Sequence, residues 1–321
     1  DVAIVHGFFV WPKLIAAAFL LAALAILLSP AWDRDRRNPW IALAVGALLG
    51  LAMLSHGSSI FGVIPLVILA LFRGLPNWRW LGAAVAGGLL LMIPWSAYQK
   101  YEVPPGNRLL KWQLAGENEI SSKGTLESIE DAYGDEGLGG SLERKGENLE
   151  EIVGWPRTEH EFEFAVDRLD ESKPGLAVAA LRWDRFFSLL PFLGFLLIGP
   201  IAMIIAWLRK MPREPDEWRF ALLCFAFFAI ACVSWAILLF GSPESRATIH
   251  VGSLAVPILG AVGCVVGMRA CFPRAALVLA GFNVLFVLAL YTPSFEPAVE
   301  GTSYSPFNAL LTLAALGGIG W

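Results

Sequence analysis

Long stretches of this chain carry no charged residue. Residues 38–72 and 80–99, for example, contain no Asp, Glu, Lys or Arg. A bilayer core requires roughly 17–25 predominantly apolar residues for each helix that crosses it, and lipid offers the backbone no hydrogen-bond partner outside its own helix. The charge lies elsewhere, because 19 of the 28 acidic residues fall between Gln99 and Arg185. The pattern predicts an all-α polytopic membrane protein.

The apolar runs predict about nine transmembrane helices. Their approximate limits are 9–29, 40–56, 58–72, 81–98, 186–208, 219–241, 250–268, 275–291 and 306–320. We therefore expect membrane helices 1–4 in residues 1–98, an acidic insert of helices and loops in residues 99–185, and membrane helices 5–9 in residues 186–321. The first residue is Asp and the last apolar run continues to the final residue, so we expect the numbering to describe a piece of a longer polypeptide.

The distribution of Lys and Arg predicts the orientation. Eleven of these residues lie in alternate short connections, whereas the intervening short connections contain only Arg246. The eleven are Arg34, Arg36, Arg37, Arg73, Arg79, Arg209, Lys210, Arg213, Arg219, Arg269 and Arg274. Basic loops stay in the cytoplasm, so the insert is predicted to be extracytoplasmic, on a bacterial inner or plasma membrane.

A polar interruption, "SHGSS", divides the second predicted helix from the third on this outer face. Gly57 permits a tight turn, and Ser58 or Ser59 can cap the next helix. Basic residues from distant parts of the chain reach the same face, where few are expected. The candidate ligands of a lipid-linked phosphate are Lys13, His56, Arg246 and His250, with His6, Arg108 and Lys111 as additional candidates. Each also has an ordinary structural explanation, such as a lysine that extends its ammonium to the interface.

Other chemistries find little support in the sequence. No P-loop, GxSxG or HExxH motif is present, and no Cys/His spacing matches a zinc site. The four cysteines are expected to be small buried hydrophobic residues. The predicted spans hold essentially no Asp or Glu, which disfavours an ion-coupled transporter. We expect membrane lipids as surroundings and no nucleic-acid partner.

Four segments together resemble the integral-membrane glycosyltransferases of the GT-C type, in the branch of the protein mannosyltransferases and the lipid A aminoarabinose transferase. The segments are "WPKLIAAAFLLAALAILL", "GALLGLAMLSHGSSIFGVIPLVILAL", "GLLLMIPWSAYQKY" and "PESRATIHVGSLAVPILGA". The family's motif of Pro followed by a polar residue corresponds to Pro12-Lys13, and its Gly-Leu-x-x-Leu-Thr-Lys-Gly motif corresponds to Gly50–Gly57. Its Pro-Trp motif corresponds to Pro94-Trp95, and its Arg motif corresponds to Arg246, His250 and Pro257. His56 replaces the family's Lys, and Lys13 stands where relatives often have an acid.

The resemblance implies transfer of a sugar from a polyprenyl-phosphate donor on the extracytoplasmic side. A carboxylate would activate the acceptor, and cations or a divalent metal would stabilise the departing phosphate. The family's catalytic carboxylate lies on a loop that would precede residue 1, so no residue of this chain is assigned to that role. Two alternatives are a non-catalytic accessory or scaffold subunit of a membrane complex that retains the GT-C helical frame, and a lipid-intermediate flippase or transporter.

Overall fold

A computed structural model describes residues 12–29, 38–72, 78–102, 107–117, 121–153, 193–241 and 253–291. Within these ranges, 88% of the residues are helical and none forms a strand. The prediction of an all-α fold is therefore confirmed. The ninth predicted span, residues 306–320, lies outside the described residues.

Ten α-helices account for most of the described chain. They are α1 (Lys13–Leu28), α2 (Pro39–Ser55), α3 (Ile60–Phe72), α4 (Trp78–Glu102), α5 (Arg108–Ala115), α6 (Thr125–Val153), α7 (Ile198–Leu208), α8 (Pro215–Leu238), α9 (Ala255–Cys271) and α10 (Pro273–Tyr291). Short 3₁₀ turns, Gly57–Ser59 and Gly194–Leu197, precede α3 and α7. Helix α6 is broken at Gly137, whose φ of 65° and ψ of −178° are not helical.

Two of these helices, α4 and α8, are long and apolar enough to cross a membrane by length and composition. Helices α1, α2, α7 and α9, together with Gly57–Phe72, are apolar but shorter, between 10 and 17 residues. Many large apolar side chains of α4 are exposed, among them Leu90 and Ile93. An apolar helix with this exposure is suited to a lipid environment, because lipid does not penalise exposed hydrocarbon as water does.

The start of α2 illustrates how local sequence sets a helix boundary. Asn38 stands just before the helix, and its side-chain Oδ1 accepts a hydrogen bond from the Trp40 N–H at 3.0 Å. Pro39 occupies the first helical position, where its missing N–H costs nothing. The other end of α2 stops at His56, whose φ of −158° and ψ of 122° are extended.

Glycines let α2 and α4 approach until their backbones touch. A Cβ placed on Gly46 would lie 1.8 Å from the Ala84 carbonyl oxygen, and one on Gly87 would lie 2.2 Å from the Leu43 carbonyl oxygen. Gly50 faces Gly88 in the same way. Small residues at such spacing are the usual means by which membrane helices pack closely.

The chain divides into two compact units. The first comprises Phe9–Ile152 and Cys224–Leu259, and the second comprises Asp1–Phe8, Val153–Leu223 and Gly260–Trp321. Within the second unit, the absence of a side chain at Gly199 allows α7 to lie against the Cys264 carbonyl of α9. The candidate site described next lies within the first unit.

Candidate functional site

The "SHGSS" segment forms a tight turn between α2 and α3. The Nδ1 atom of His56 accepts a hydrogen bond from the Ser58 N–H at 3.3 Å. The Ser59 N–H donates to the His56 carbonyl at 2.9 Å. The sequence prediction of a tight turn between two helices is confirmed, although the capping side chain is His56 and both serines are buried.

The starts of α3 and α9 meet beside α1. Gly62 lies in the first turn of α3, and a Cβ built there would lie 2.6 Å from Leu20 of α1 and 3.1 Å from the Oγ of Ser253. Ser253 lies two residues before the start of α9, and its carbonyl accepts a hydrogen bond from the Val256 N–H at 3.0 Å. Leu20 is two helical turns from Lys13, and α1 also contacts the Gly57–Ser59 turn. The N-terminal ends of α3 and α9, which are the positive ends of their dipoles, therefore lie close together.

Lys13 is the first residue of α1 and is only 6% exposed. A cation at the N-terminus of a helix adds to the positive end of the helix dipole, which is an unfavourable arrangement unless negative charge is close by. Burial adds the cost of removing an ammonium group from water. Lys13 therefore places a buried cationic side chain at the start of α1.

Two buried hydroxyl groups stand in the same region without a hydrogen-bond partner among the described residues. Ser59 is 1% exposed and Ser253 is 2% exposed, and neither Oγ atom has a donor or acceptor within reach. Buried polar groups are normally hydrogen-bonded, and an unsatisfied one costs about 1–3 kcal/mol. Both hydroxyls are therefore available to donate a hydrogen bond to a ligand oxygen.

Helix α5, from the acidic insert, links this region to the end of α8. The side-chain amide of Gln113 lies 3.4 Å from the Ser58 Oγ, and the Gln113 carbonyl accepts the Phe240 N–H at 2.8 Å. Gly116 ends α5 with a φ of 69°, and the Phe240 ring fills the space where a side chain would otherwise stand. The left-handed conformation and the close ring both require glycine.

A buried ion pair fixes the connection between α5 and α6. Lys111 is fully buried, and its Nζ donates to the Glu117 Oε1 at 3.2 Å and to the Ser121 carbonyl at 3.1 Å. The Ser121 and Ser128 hydroxyls both donate to the Glu117 carboxylate. These hydroxyl hydrogen bonds, followed by Lys111, lower the pKa of Glu117 to about 2, because each stabilises the ionised form.

Three side chains of α6 bind carbonyl groups around the end of α8. Lys145 donates to the Leu239 carbonyl and to the Tyr133 hydroxyl, both at 2.6 Å. The buried side-chain amide of Asn148 donates to the Ala236 carbonyl at 3.1 Å and to the Leu239 carbonyl at 2.8 Å. Arg144 donates to the Gly241 carbonyl at 2.9 Å and lies over the Phe240 ring. The last carbonyls of a helix lack intrahelical partners and carry partial negative charge. The second half of α6 thus binds one of these carbonyls, that of Ala236, and two carbonyls of the segment that follows the helix.

The predicted site residues fall into three groups. Lys13 is buried at the start of α1, and His56 forms the turn between α2 and α3. Arg108 is exposed at the start of α5, and Lys111 is held by Glu117 and Ser121. His6, Arg246 and His250 lie outside the described residues.

Sequence reasoning missed Ser253 and Gln113, and it considered Ser59 only as a cap. A single serine at the start of an apolar run is a weak signal, because serine is common near helix starts. The divalent metal that the resemblance implies finds no ligand group here, since no cluster of three or more His, Cys, Asp or Glu occurs within the described ranges.

Comparison with known proteins adds no relative to this picture. No family model matches the chain, and no curated protein or solved structure is significantly similar to it.

Proposed function

We propose that this chain is a polytopic membrane protein that binds the phosphate of a polyprenyl-phosphate-linked sugar and acts as a GT-C-type glycosyltransferase. The observation that carries the proposal is that the N-termini of α3 and α9 meet beside α1. Two buried hydroxyls there, on Ser59 and Ser253, have no hydrogen-bond partner within the described residues. Lys13, at the start of α1, is also buried. Helix N-termini, a cation and free hydroxyl donors are the groups that bind a phosphate.

The proposed membrane arrangement has nine crossings, with residue 1 and the acidic insert outside and residue 321 inside. The two long apolar helices and the shorter ones support this arrangement by composition. It puts the "SHGSS" turn and Lys13 on the extracytoplasmic face of a bacterial inner or plasma membrane. Arg246 and His250 would reach the same face, since they lie in the short segment of the sequence before α9.

The proposed reaction is displacement at the anomeric carbon of the donor sugar. The bond between that carbon and the phosphate oxygen breaks, and the acceptor oxygen forms the new bond after a carboxylate base takes its proton. The polyprenyl phosphate leaves with the bonding electron pair. Lys13 and the hydroxyls of Ser59 and Ser253 would stabilise the negative charge that develops on the leaving phosphate.

A binding experiment tests the phosphate site directly. Purified protein in detergent is heated with a synthetic polyprenyl phosphate, and the shift in melting temperature is compared with that produced by the uncharged polyprenol. We expect the phosphate alone to raise the melting temperature, since a ligand that binds only the folded state stabilises it. Lys13→Gln, Ser59→Ala and Ser253→Ala should each weaken binding about ten-fold or more, the usual loss for a hydrogen bond to a charged group.

The control variant is Ser29→Ala, at the opposite end of α1, where the hydroxyl already donates to the Ile26 carbonyl at 2.8 Å. It should bind the polyprenyl phosphate like the unchanged protein. Without ligand, Ser59→Ala and Ser253→Ala should melt at the same temperature or higher, because each removes an unsatisfied buried hydroxyl. Equal binding of phosphate and alcohol, or an equal loss in Ser29→Ala, would contradict the proposal.

The accessory-subunit alternative is favoured by one observation. Glu117, which is close in sequence to Gln113, is a carboxylate near the proposed outer face, but two hydroxyls and Lys111 already bind it. A carboxylate with a pKa of about 2 is a weak general base. Transfer assays with a radiolabelled polyprenyl-phosphate sugar separate the two functions: an enzyme turns over the donor, whereas an accessory subunit binds polyprenyl phosphate without consuming the donor.

A further inference from the structure

The loop between α7 and α8 contains a lysine in a conformation that favours glycine. Lys210 has a φ of 51°, in the left-handed region. Its N–H donates to the Trp207 carbonyl at 3.1 Å, and the Met211 N–H donates to the Ala206 carbonyl at 2.9 Å. This pattern closes the C-terminus of α7, and glycine is the residue usually found at its left-handed position. A lysine at this position is strained, since its Cβ crowds the following carbonyl oxygen.

A shallow pocket opens at this loop. It has a volume of about 430 Å³ and is lined by Trp207, Leu208, Lys210, Met211 and Arg213. Two cationic side chains therefore face one concave surface whose other walls are apolar. The side chains of Trp207 and Leu208 are largely exposed.

Two acidic residues near this pocket have other partners. Glu217 pairs with Arg269 at 2.6 Å, and Asp216 lies 4.0 Å from Arg219. In the described part of the chain, neither Lys210 nor Arg213 has a carboxylate within ion-pair distance; Arg213 instead lies over the Trp218 ring, 4.4 Å from its centre. Among the residues that the structure describes, the two positive charges of the pocket therefore have no ion-pair partner.

We propose that this pocket binds the phosphate headgroup of an anionic membrane lipid. Lys210 and Arg213 would contact the phosphate, while Trp207 and Leu208 would contact the first carbons of the acyl chains. Basic pockets beside membrane helices on the cytoplasmic side suit such headgroups, and tryptophan favours the interfacial depth. The inference depends on the proposed membrane placement of α7 and α8 but not on the proposed sugar transfer.

Native mass spectrometry of the detergent-purified protein tests this site. The protein is titrated with phosphatidylglycerol and, separately, with phosphatidylcholine. We expect phosphatidylglycerol to bind more tightly, and we expect Lys210→Asn and Arg213→Gln each to weaken that binding about five-fold, the loss anticipated for one basic residue near anionic lipid. Arg219→Gln is the matched control, since Arg219 lies in the same basic region but already has Asp216 beside it. It should change the affinity less than two-fold.

Asparagine at position 210 tolerates the left-handed backbone, so Lys210→Asn should fold normally. Its melting temperature without lipid should equal or exceed that of the unchanged protein. Equal binding of the two lipids, or an equal loss in Arg219→Gln, would overturn the inference. If millimolar inorganic phosphate displaces phosphatidylglycerol, the pocket binds free phosphate and the lipid is not its occupant. If the protein stays soluble without detergent, the proposed membrane placement is refuted. If Lys210→Asn and Arg213→Gln bind polyprenyl phosphate like the unchanged protein, the proposed function still stands.

Discussion

At the scale of single residues, burial decides which polar groups are available for binding. Lys111 and Lys13 are both buried lysines, yet the structure gives them different surroundings. Lys111 has a carboxylate and two oxygens of Ser121 around its ammonium, which is how a folded protein normally accommodates a buried charge. Lys13 stands at the start of a helix, where the dipole has the same sign as its charge. Lys111 therefore stabilises the insert, whereas Lys13 is assigned to the proposed phosphate site.

Gly116 should be one of the least replaceable residues of the insert. Gly116→Ala forces a Cβ into a backbone with a φ of 69° and to within 2.5 Å of a Phe240 ring carbon. We expect the free energy of unfolding to fall by about 1–3 kcal/mol, from left-handed strain and overpacking together. Thermal unfolding in detergent measures the change. Gly124→Ala is the control, since nothing stands within 4 Å of its Cβ position; an equal loss there would contradict the explanation.

Acid should destabilise the protein through Glu117. Its pKa is about 2 in the folded protein and near its usual value of 4.5 in the unfolded chain. The unfolded state therefore binds more protons between these values, so the stability contributed by Glu117 is complete above about pH 4.5 and is lost as the pH falls toward 2. Melting temperatures measured across this range should fall less steeply for Glu117→Gln than for the unchanged protein. Parallel curves would contradict the role given to this carboxylate.

At the scale of elements, the contact between α2 and α4 depends on missing side chains. Gly87→Ala would place a methyl group 2.2 Å from the Leu43 carbonyl oxygen and 3.0 Å from the Ala47 nitrogen. Backbone atoms cannot move aside as a flexible side chain can, so the helices must separate. We expect a loss of about 1–3 kcal/mol in the free energy of unfolding, as for other overpacked interiors.

The matched substitution on the same helix is Gly82→Ala, where nothing stands within 4 Å of the added methyl group. It should leave the melting temperature unchanged or raise it slightly, because alanine stabilises a helix by about 0.5–1 kcal/mol relative to glycine. Thermal unfolding of the two variants in the same detergent gives the comparison. If Gly87→Ala were as stable as Gly82→Ala, the close approach of α2 and α4 would be refuted.

At the scale of the whole molecule, the proposed topology puts α6 and the loop before α8 on opposite sides of the membrane. Single cysteines introduced at Glu143 and Asp216, both exposed positions, test this topology. The background variant is Cys271→Ser, which removes the least buried of the native thiols described. A membrane-impermeant maleimide added to intact cells should label position 143 directly and position 216 only after permeabilisation. Labelling of position 216 from outside would reverse or break the proposed order of crossings.

Apolar runs and turn residues were enough to predict the helical class and the limits of some helices. The predicted run 40–56 and helix α2, Pro39–Ser55, differ by one residue at each end, because Asn38, Pro39 and Gly57 are local signals that act within a few residues. Helix α6 was less predictable. Its glycines and acidic residues indicated short helical pieces, whereas the structure has one long helix broken only at Gly137. Contacts of Arg144, Lys145 and Asn148 with the end of α8 account for its second half.

The sequence by itself determined the helical class, the apolar character and the unequal distribution of charge, because these depend on composition and on periodicity along the chain. Only the tertiary structure decided which polar groups share a space. Ser59 and Ser253 are 194 residues apart in the sequence, yet both are buried where α3 and α9 meet. Lys111, an additional candidate phosphate ligand in the sequence, is bound by Glu117 and Ser121. Burial and long-range partners depend on how the helices pack. Sequence periodicity shows which face of a helix is apolar, but it does not show which other helix that face contacts.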